Sequence, residues 1–113
     1  MRKDPKILIG HILECIELLD KYTNKRTKND FFTDTQLQDS IIRRIEIIGE
    51  AVKNIPKDIK EKYSDIPWKK IAGMRDILIH EYFGIDLMLT WEVIQTDIPN
   101  LKKNMVKISK KIK

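Results

Sequence analysis

Cysteine is almost absent from this chain: Cys15 is the single one in 113 residues. No disulfide can form within the chain and no thiolate cluster can hold zinc, which fits a reducing compartment. Glycine and proline are scarce, four of each, and no alternating apolar–polar run exceeds a few residues, so nothing points to strands. Uninterrupted apolar runs are also only a few residues long, far short of a membrane span. Met1, Arg2, Lys3 and Asp4 lead directly into an amphipathic pattern, without the apolar stretch and small-residue cleavage site of a secretion signal. The expected location is the cytoplasm, with no membrane contact.

What the chain does have is 42% hydrophobic and 35% charged residues, the balance of a soluble helical protein, neither disordered nor β-rich. Its length predicts one domain over residues 1–113 with one core and modest stability in reserve. The formal charge is +5, which favours polyanions as partners without specifying nucleic acid. Much of it lies at Lys102, Lys103, Lys107, Lys110, Lys111 and Lys113, read as a solvated helix end whose dipole favours cations.

Apolar residues at Leu8, Ile12, Cys15, Ile16, Leu19 and Tyr22 recur in steps of three and four and draw one stripe down a first helix. The polar stretch from Thr23 to Asp30 reads as a loop, and Thr33 with Gln36 resembles a capping box. A second stripe runs through Leu37, Ile41, Ile45, Ile48, Val52 and Ile55 and stops at Pro56. Residues 57–66 have room for one or two helical turns. Pro67 suits the first turn of the next helix, which carries Ile71, Met74 and Leu78 inward and is predicted to end near Gly84. Asp86 is placed to cap a last helix with Leu87, Trp91, Ile94, Ile98, Leu101, Met105, Ile108 and Ile112 as its stripe. Pro99 falls inside that stripe and should kink or break it. Four amphipathic helices with short connections predict an all-α, antiparallel four-helix bundle with a short extra helix and a kinked last one.

The stretch from Met74 to Tyr82 concentrates chemistry: Arg75, Asp76, His80, Glu81 and Tyr82 stand in eight residues of an otherwise apolar helix. At 100° per residue, Arg75 and His80 are about 140° apart around the axis. A site using both must be broad, or the helix must distort near its end. Asp76 and His80, four apart, meet on a regular helix, where the carboxylate would hold the imidazole's tautomer and raise its pKa. The spacing alone reads equally well as exposed salt bridges among Arg75, Asp76 and Glu81. His11, flanking the first stripe, reads as a boundary histidine, Cys15 as core, Trp68 and Trp91 as packing anchors, and Arg43 and Arg44 as helix pairs with Glu46 and Glu50 in preference to an extension of a basic cleft.

Arg75, His80 and Tyr82 together form an Arg-x4-His-x-Tyr arrangement that resembles the HEPN superfamily (higher eukaryotes and prokaryotes nucleotide-binding), and more narrowly its HepT-like toxin branch. The surroundings match as well, from Arg43 to Ala51, through Pro67 and Trp68 to Ile71 and Asp76, and on to Trp91. The resemblance implies a homodimer whose two Arg75–His80 sets line one cleft and cut RNA without a metal or other cofactor, as the toxin of a type VII toxin–antitoxin pair. Asp76 would support the site. Its implied partner is a minimal nucleotidyltransferase antitoxin, with Tyr82 as the residue to which that partner attaches AMP. With only two histidines per chain and His11 far off in sequence, a two-fold axis would supply the second imidazole that metal-free cleavage needs. The alternative is a non-catalytic nucleotide-binding or nucleotidyltransferase-docking module of the same superfamily.

Overall fold

The computed structural model describes residues 4–80 and 84–112, with His80 described by its backbone only. The chain is mostly helical. Helix α1 runs Pro5–Thr23, α2 Lys28–Thr33, α3 Thr35–Lys53, α4 Lys57–Lys62, α5 Trp68–Ala72 and α6 Met74–Leu78. Two residue-long strands follow, β1 Ile79–His80 and β2 Gly84–Ile85, then α7 Leu87–Glu92, a π-helical segment Val93–Asp97, and α8 Ile98–Lys111. No helix among the described residues is long and apolar enough to cross a membrane.

Caps explain most of the boundaries. Asp4 accepts a hydrogen bond from the Lys6 N–H at 2.9 Å and Pro5 occupies the first helical position of α1, where a missing donor costs nothing. Asp34 starts α3 by accepting from Leu37 N–H at 3.1 Å, and Asp86 starts α7 by accepting from Leu89 N–H at 3.0 Å. Each satisfies a backbone donor that the helix itself leaves free.

The segment read as a loop from Thr23 to Asp30 runs into α2, whose first turn it contains. Its capping box is formed by Thr27 and Asp30 rather than by Thr33 and Gln36: Asp30 N–H donates to the Thr27 hydroxyl at 3.1 Å, and Thr27 N–H donates to Asp30 at 2.8 Å. Hydrogen bonds to the carboxyl of Asp30, first from the Thr27 backbone N–H and then from the Thr27 side chain, hold it below its ordinary pKa. Thr33 instead lies inside α2, and its hydroxyl donates back to the Asn29 carbonyl at 2.9 Å. Six residues are too few to show an apolar period, so the short helix escapes pattern reading. It is held by burying Phe31, whose ring stacks on Trp91 of α7 at 5.6 Å between centroids. The Gln38 side chain donates to the carbonyls of Phe31 and Phe32 at 2.9 and 3.3 Å.

The helix expected to continue from Pro67 toward Gly84 is divided and shorter. It breaks at Gly73, resumes as α6, and ends at Leu78, after which the backbone becomes extended at Ile79 (φ −108°, ψ 118°). Ile79 pairs with Ile85 and His80 with Gly84 in an antiparallel ladder, and Asp86 N–H donates to the Leu78 carbonyl at 2.7 Å. Gly84 has φ +76°, a backbone state open to glycine at little cost. The sequence contains no alternating run to announce a pairing of two residues per strand.

Pro99 acts one turn ahead of itself. A proline in mid-helix loses its own donor and drives its ring against the carbonyl four residues back. Here the helix widens first: Ile98 N–H donates to the Val93 carbonyl, a five-residue step, and Pro99 enters in the first turn of α8. The expected break is a π-helical insertion.

The stripes predicted for α1, α3 and α8 face inward. Ile12, Ile16, Ile41, Ile45, Ile48, Val52, Met105 and Ile108 are completely shielded and belong to one apolar cluster. Helix α1 packs on α3 and α8, while α3 also meets α5 and α6. At Gly49 a side-chain carbon would lie 3.0 Å from the Ala72 carbonyl oxygen, whereas at Gly10 it would meet nothing within 4 Å. The same substitution therefore has opposite consequences on two helices. Gly10→Ala should stabilise by about 0.5–1 kcal/mol through helix propensity. Gly49→Ala should lose that gain, and Gly49→Leu should destabilise by about 1–3 kcal/mol through overpacking, measured as shifts in urea unfolding midpoints at equal protein concentration.

Candidate functional site

Helix α6 is only five residues long and owes its position to burial of Met74 and Leu78. Between those anchors, Arg75, Asp76 and Ile77 are exposed. Arg75 turns toward α3, where its Nε donates to Glu46 Oε2 at 2.8 Å. Its Nη1 stands 3.6 Å from Asp76 Oδ1. The bond to Glu46 and that carboxylate's charge, followed by Asp76, raise the Arg75 pKa further, so the guanidinium stays cationic throughout the usable pH range. Arg75 remains half exposed, and Nη2 has no partner among the described residues. It is a held cation with donors to spare.

Arg75 and Glu46 stand on the wall of a cleft of about 520 Å³. One face of α3 supplies Arg43, Glu46, Glu50 and Asn54, and α1 contributes His11. Leu8, Ile47 and Ala51 give it an apolar floor. His11 thus lines the same cleft as Arg75 although 64 positions separate them in the chain. The reading of His11 as a mere boundary residue misses this placement. An exposed histidine next to an inward-facing stripe carries no sequence mark of which neighbouring helix it will face.

The expected pairs on α3 do not form. Arg43 makes no ion pair among the described residues. Arg44 points the other way, its Nη1 lying 3.9 Å from the Cys15 sulfur. Glu46 is taken by Arg75 rather than by a residue of its own helix, because a carboxylate facing a neighbouring helix meets a guanidinium there at no cost to helix geometry. Of the exposed pairs weighed for Arg75, the one with Asp76 is present at 3.6 Å, and a bridge between two helices, to Glu46, stands beside it.

Asp76 is nearly fully exposed and its near contact is Arg75, one residue away. The regular helical turn that would have stacked it on His80 does not exist, because extended backbone begins at Ile79. His80 therefore leaves the helix axis on a strand paired with Gly84, and the path from Arg75 changes from helical to extended backbone at Ile79. Of the two expectations for this stretch, a broad site or a helix distorted near its end, the second matches the backbone, which leaves the helix after Leu78. Glu81 and Tyr82 lie outside the described residues. No cluster of three or more metal-ligating side chains occurs among the described residues.

Cys15 is buried, as its place on the stripe predicts, and burial raises its pKa against the opposing pull of Arg44. Trp68 is also buried, its indole N–H donating to the Tyr63 carbonyl at 3.0 Å.

Comparison with known proteins adds the following. The family described as ribonuclease HepT-like matches residues 12–108. A Methanocaldococcus jannaschii protein named "Gamma-glutamylcyclotransferase and putative RNase" is 60% identical over 99% of this chain, which spans 50% of that relative's length. A "Putative RNase" of Caldanaerobacter subterraneus subsp. tengcongensis is 47% identical, covering 98% of this chain and 99% of its own. The "Probable ribonuclease HepT" of Thermococcus cleftensis is 44% identical over 97% of this chain and 100% of its own. No solved structure matches the chain.

The buried thiol generates a check on this packing. Since its folded pKa lies above the ordinary 9.0, its contribution to stability is complete below that pH and is lost as pH rises through the folded value. Iodoacetamide at pH 8 should alkylate Cys15 about tenfold or more slowly in the native protein than in denaturant, and urea stability should decline above pH 9.

Proposed function

The chain belongs to the ribonuclease HepT-like family, and from that premise we propose that it is the endoribonuclease toxin of a toxin–antitoxin pair, cutting RNA without a metal at Arg75 and His80. In this reading the chain is one helical domain, an antiparallel four-helix bundle with short additional helices. Two copies meet about a two-fold axis so that both Arg75–His80 sets border one cleft, and the protein works in the cytoplasm. The observation that carries the proposal is the state of Arg75: a guanidinium fixed by Glu46 at 2.8 Å, half exposed, on the wall of an open cleft, five residues before a histidine that leaves the helix.

The chemistry needs one base and one acid. His80 of one copy, as the neutral imidazole, takes the proton from a ribose 2′-OH. The freed oxygen attacks the adjacent phosphorus, the bond to the 5′-oxygen breaks, and that oxygen takes a proton from the second copy's imidazolium. Histidine's pKa near neutrality suits it to both roles. Arg75 holds the phosphate and offsets the charge that grows on its oxygens. The products are a 2′,3′-cyclic phosphate and a 5′-hydroxyl end. DNA lacks the nucleophile and stays intact.

Regulation is assigned to Tyr82, two residues after His80 in sequence. Transfer of AMP to it by a minimal nucleotidyltransferase antitoxin would place a bulky anion beside a phosphate-binding cleft and exclude RNA by volume and charge. Asp76 supports Arg75 through their contact at 3.6 Å.

Purified protein incubated with total RNA in EDTA should yield fragments ending in 2′,3′-cyclic phosphate. His80→Ala and Arg75→Ala should each lower the rate by about 100-fold or more with unchanged circular dichroism. Intact RNA, together with stable binding of a nucleotidyltransferase, would transfer the site to the docking-module reading. Co-expression with a competent nucleotidyltransferase should give AMP on Tyr82 by peptide mass spectrometry, and modification elsewhere would remove Tyr82 from the account.

A further inference from the structure

The cleft beside Arg75 is more than a phosphate cradle. Its walls carry both signs, and its floor is apolar. A surface serving only to hold a polyanion has no use for carboxylates, because each repels the phosphates it must attract. Glu46 is explained by its bond to Arg75. Glu50 is not: it is exposed on the same face of α3, and its carboxylate has no partner among the described residues. The hydrogen bond from Asn54 goes to the backbone carbonyl of Glu50, at 2.8 Å, and leaves the side chain free.

Positions along α3 are ordered by the helix itself. Glu46 marks the level at which Arg75 stands, and Glu50 follows one turn later, about 6 Å along the axis. Beside them the floor is made by Ile47 and Ala51, each one position further along α3, with Leu8 of α1. The succession is a cation that suits a phosphate, an apolar bed, and a free carboxylate one turn away. A nucleotide presents the same succession as phosphate, flat base face and base edge. The volume of about 520 Å³ falls in the range of about 300–1,000 Å³ typical of small-molecule sites.

We propose that this cleft is a base-reading subsite that accepts the guanine of a nucleotide whose phosphate is held by Arg75, with Glu50 receiving hydrogen bonds from the guanine edge. The choice of base follows from donor geometry. An ionised carboxylate offers only acceptors. Guanine has two adjacent donors on its Watson–Crick edge, N1–H and the N2 amino group, so both oxygens of Glu50 are used. Adenine and cytosine put an acceptor nitrogen beside their amino donor, and uracil flanks its one N–H with two carbonyls, so each sets lone pairs against the carboxylate. Single-stranded RNA exposes these edges, which is how sequence is read in RNA. Leu8, Ile47 and Ala51 receive the base face.

The assignment rests on the ribonuclease reading for its biological substrate, yet binding of a mononucleotide tests it without any cleavage. Calorimetric titration of His80→Ala protein with 5′-GMP, 5′-IMP and 5′-AMP should rank GMP above IMP and IMP above AMP, since inosine keeps N1–H and lacks the amino group. GMP should exceed AMP by about 10- to 100-fold, the usual worth of a bidentate contact to a base, and Glu50→Gln should abolish most of that ratio. In active protein, cleavage of oligonucleotides differing only in the base beside the cut should favour guanine, and Glu50→Gln should reduce the guanine-to-adenine ratio of kcat/KM by about tenfold or more. Equal binding of the three mononucleotides, no binding of any, or a base preference indifferent to Glu50→Gln would overturn the subsite. Guanine-selective binding by a protein that cuts no RNA would leave the subsite standing and remove the ribonuclease reading.

Discussion

Two helices approach each other closely at Gly49 because that position has no side chain, and the location of Arg75 follows from the contact. The Ala72 carbonyl lies 3.0 Å from where a side-chain carbon would stand, so α5 is drawn against α3 at the end of its last turn. The chain then turns at Gly73, whose N–H donates to the Lys69 carbonyl at 3.0 Å, and α6 starts beside the same helix. Burial of Met74 and Leu78 sets the rotation of α6. With distance and rotation both fixed, Arg75 faces Glu46, one turn before Gly49. A five-residue helix has too little internal cooperativity to hold such a position by itself. Packing supplies what hydrogen bonding within α6 cannot.

The Glu46 contact exchanges some positive field for definition. A free arginine on a helix surface samples many rotamers, and fixing it costs entropy when a ligand arrives. Here the Nε edge is already bound, so the side chain is oriented in advance while Nη2 has no partner among the described residues. The exchange suits recognition of a single phosphate more than bulk attraction. The lysines of α8 stand elsewhere on the molecule, and of these Lys102 is paired with Asp20 at 3.1 Å.

The change from helix to strand at Ile79 has a comparable logic. A regular helix would place Arg75 and His80 on faces about 140° apart and would tie His80 to Asp76. Ending the helix at Leu78 removes both constraints. The new direction is supported by the pairing of His80 with Gly84 and by the left-handed backbone of Gly84. Beyond it, Asp86 closes the ladder through its N–H and caps α7 through its side chain.

The long elements were legible because their apolar period is local information: α1, α3 and α8 bury most of the residues their stripes mark, Tyr22 and Ile112 only partly, and proline and aspartate announce several of their ends. The same period is too coarse for six residues, so α2 and its Thr27–Asp30 box were hidden, as was a hairpin with two residues per strand. Arg75 and His80 were legible as candidates from their spacing within an apolar stretch and from family resemblance. Glu46 as the partner of Arg75, the turning away of Arg44 and the arrival of His11 at the cleft were decided only in three dimensions. Sequence by itself determined which face of each long helix avoids water, since hydrophobic burial depends on composition along a single helix. Which polar faces meet across helices depends on crossing geometry, and that was settled by tertiary packing, at Gly49 above all.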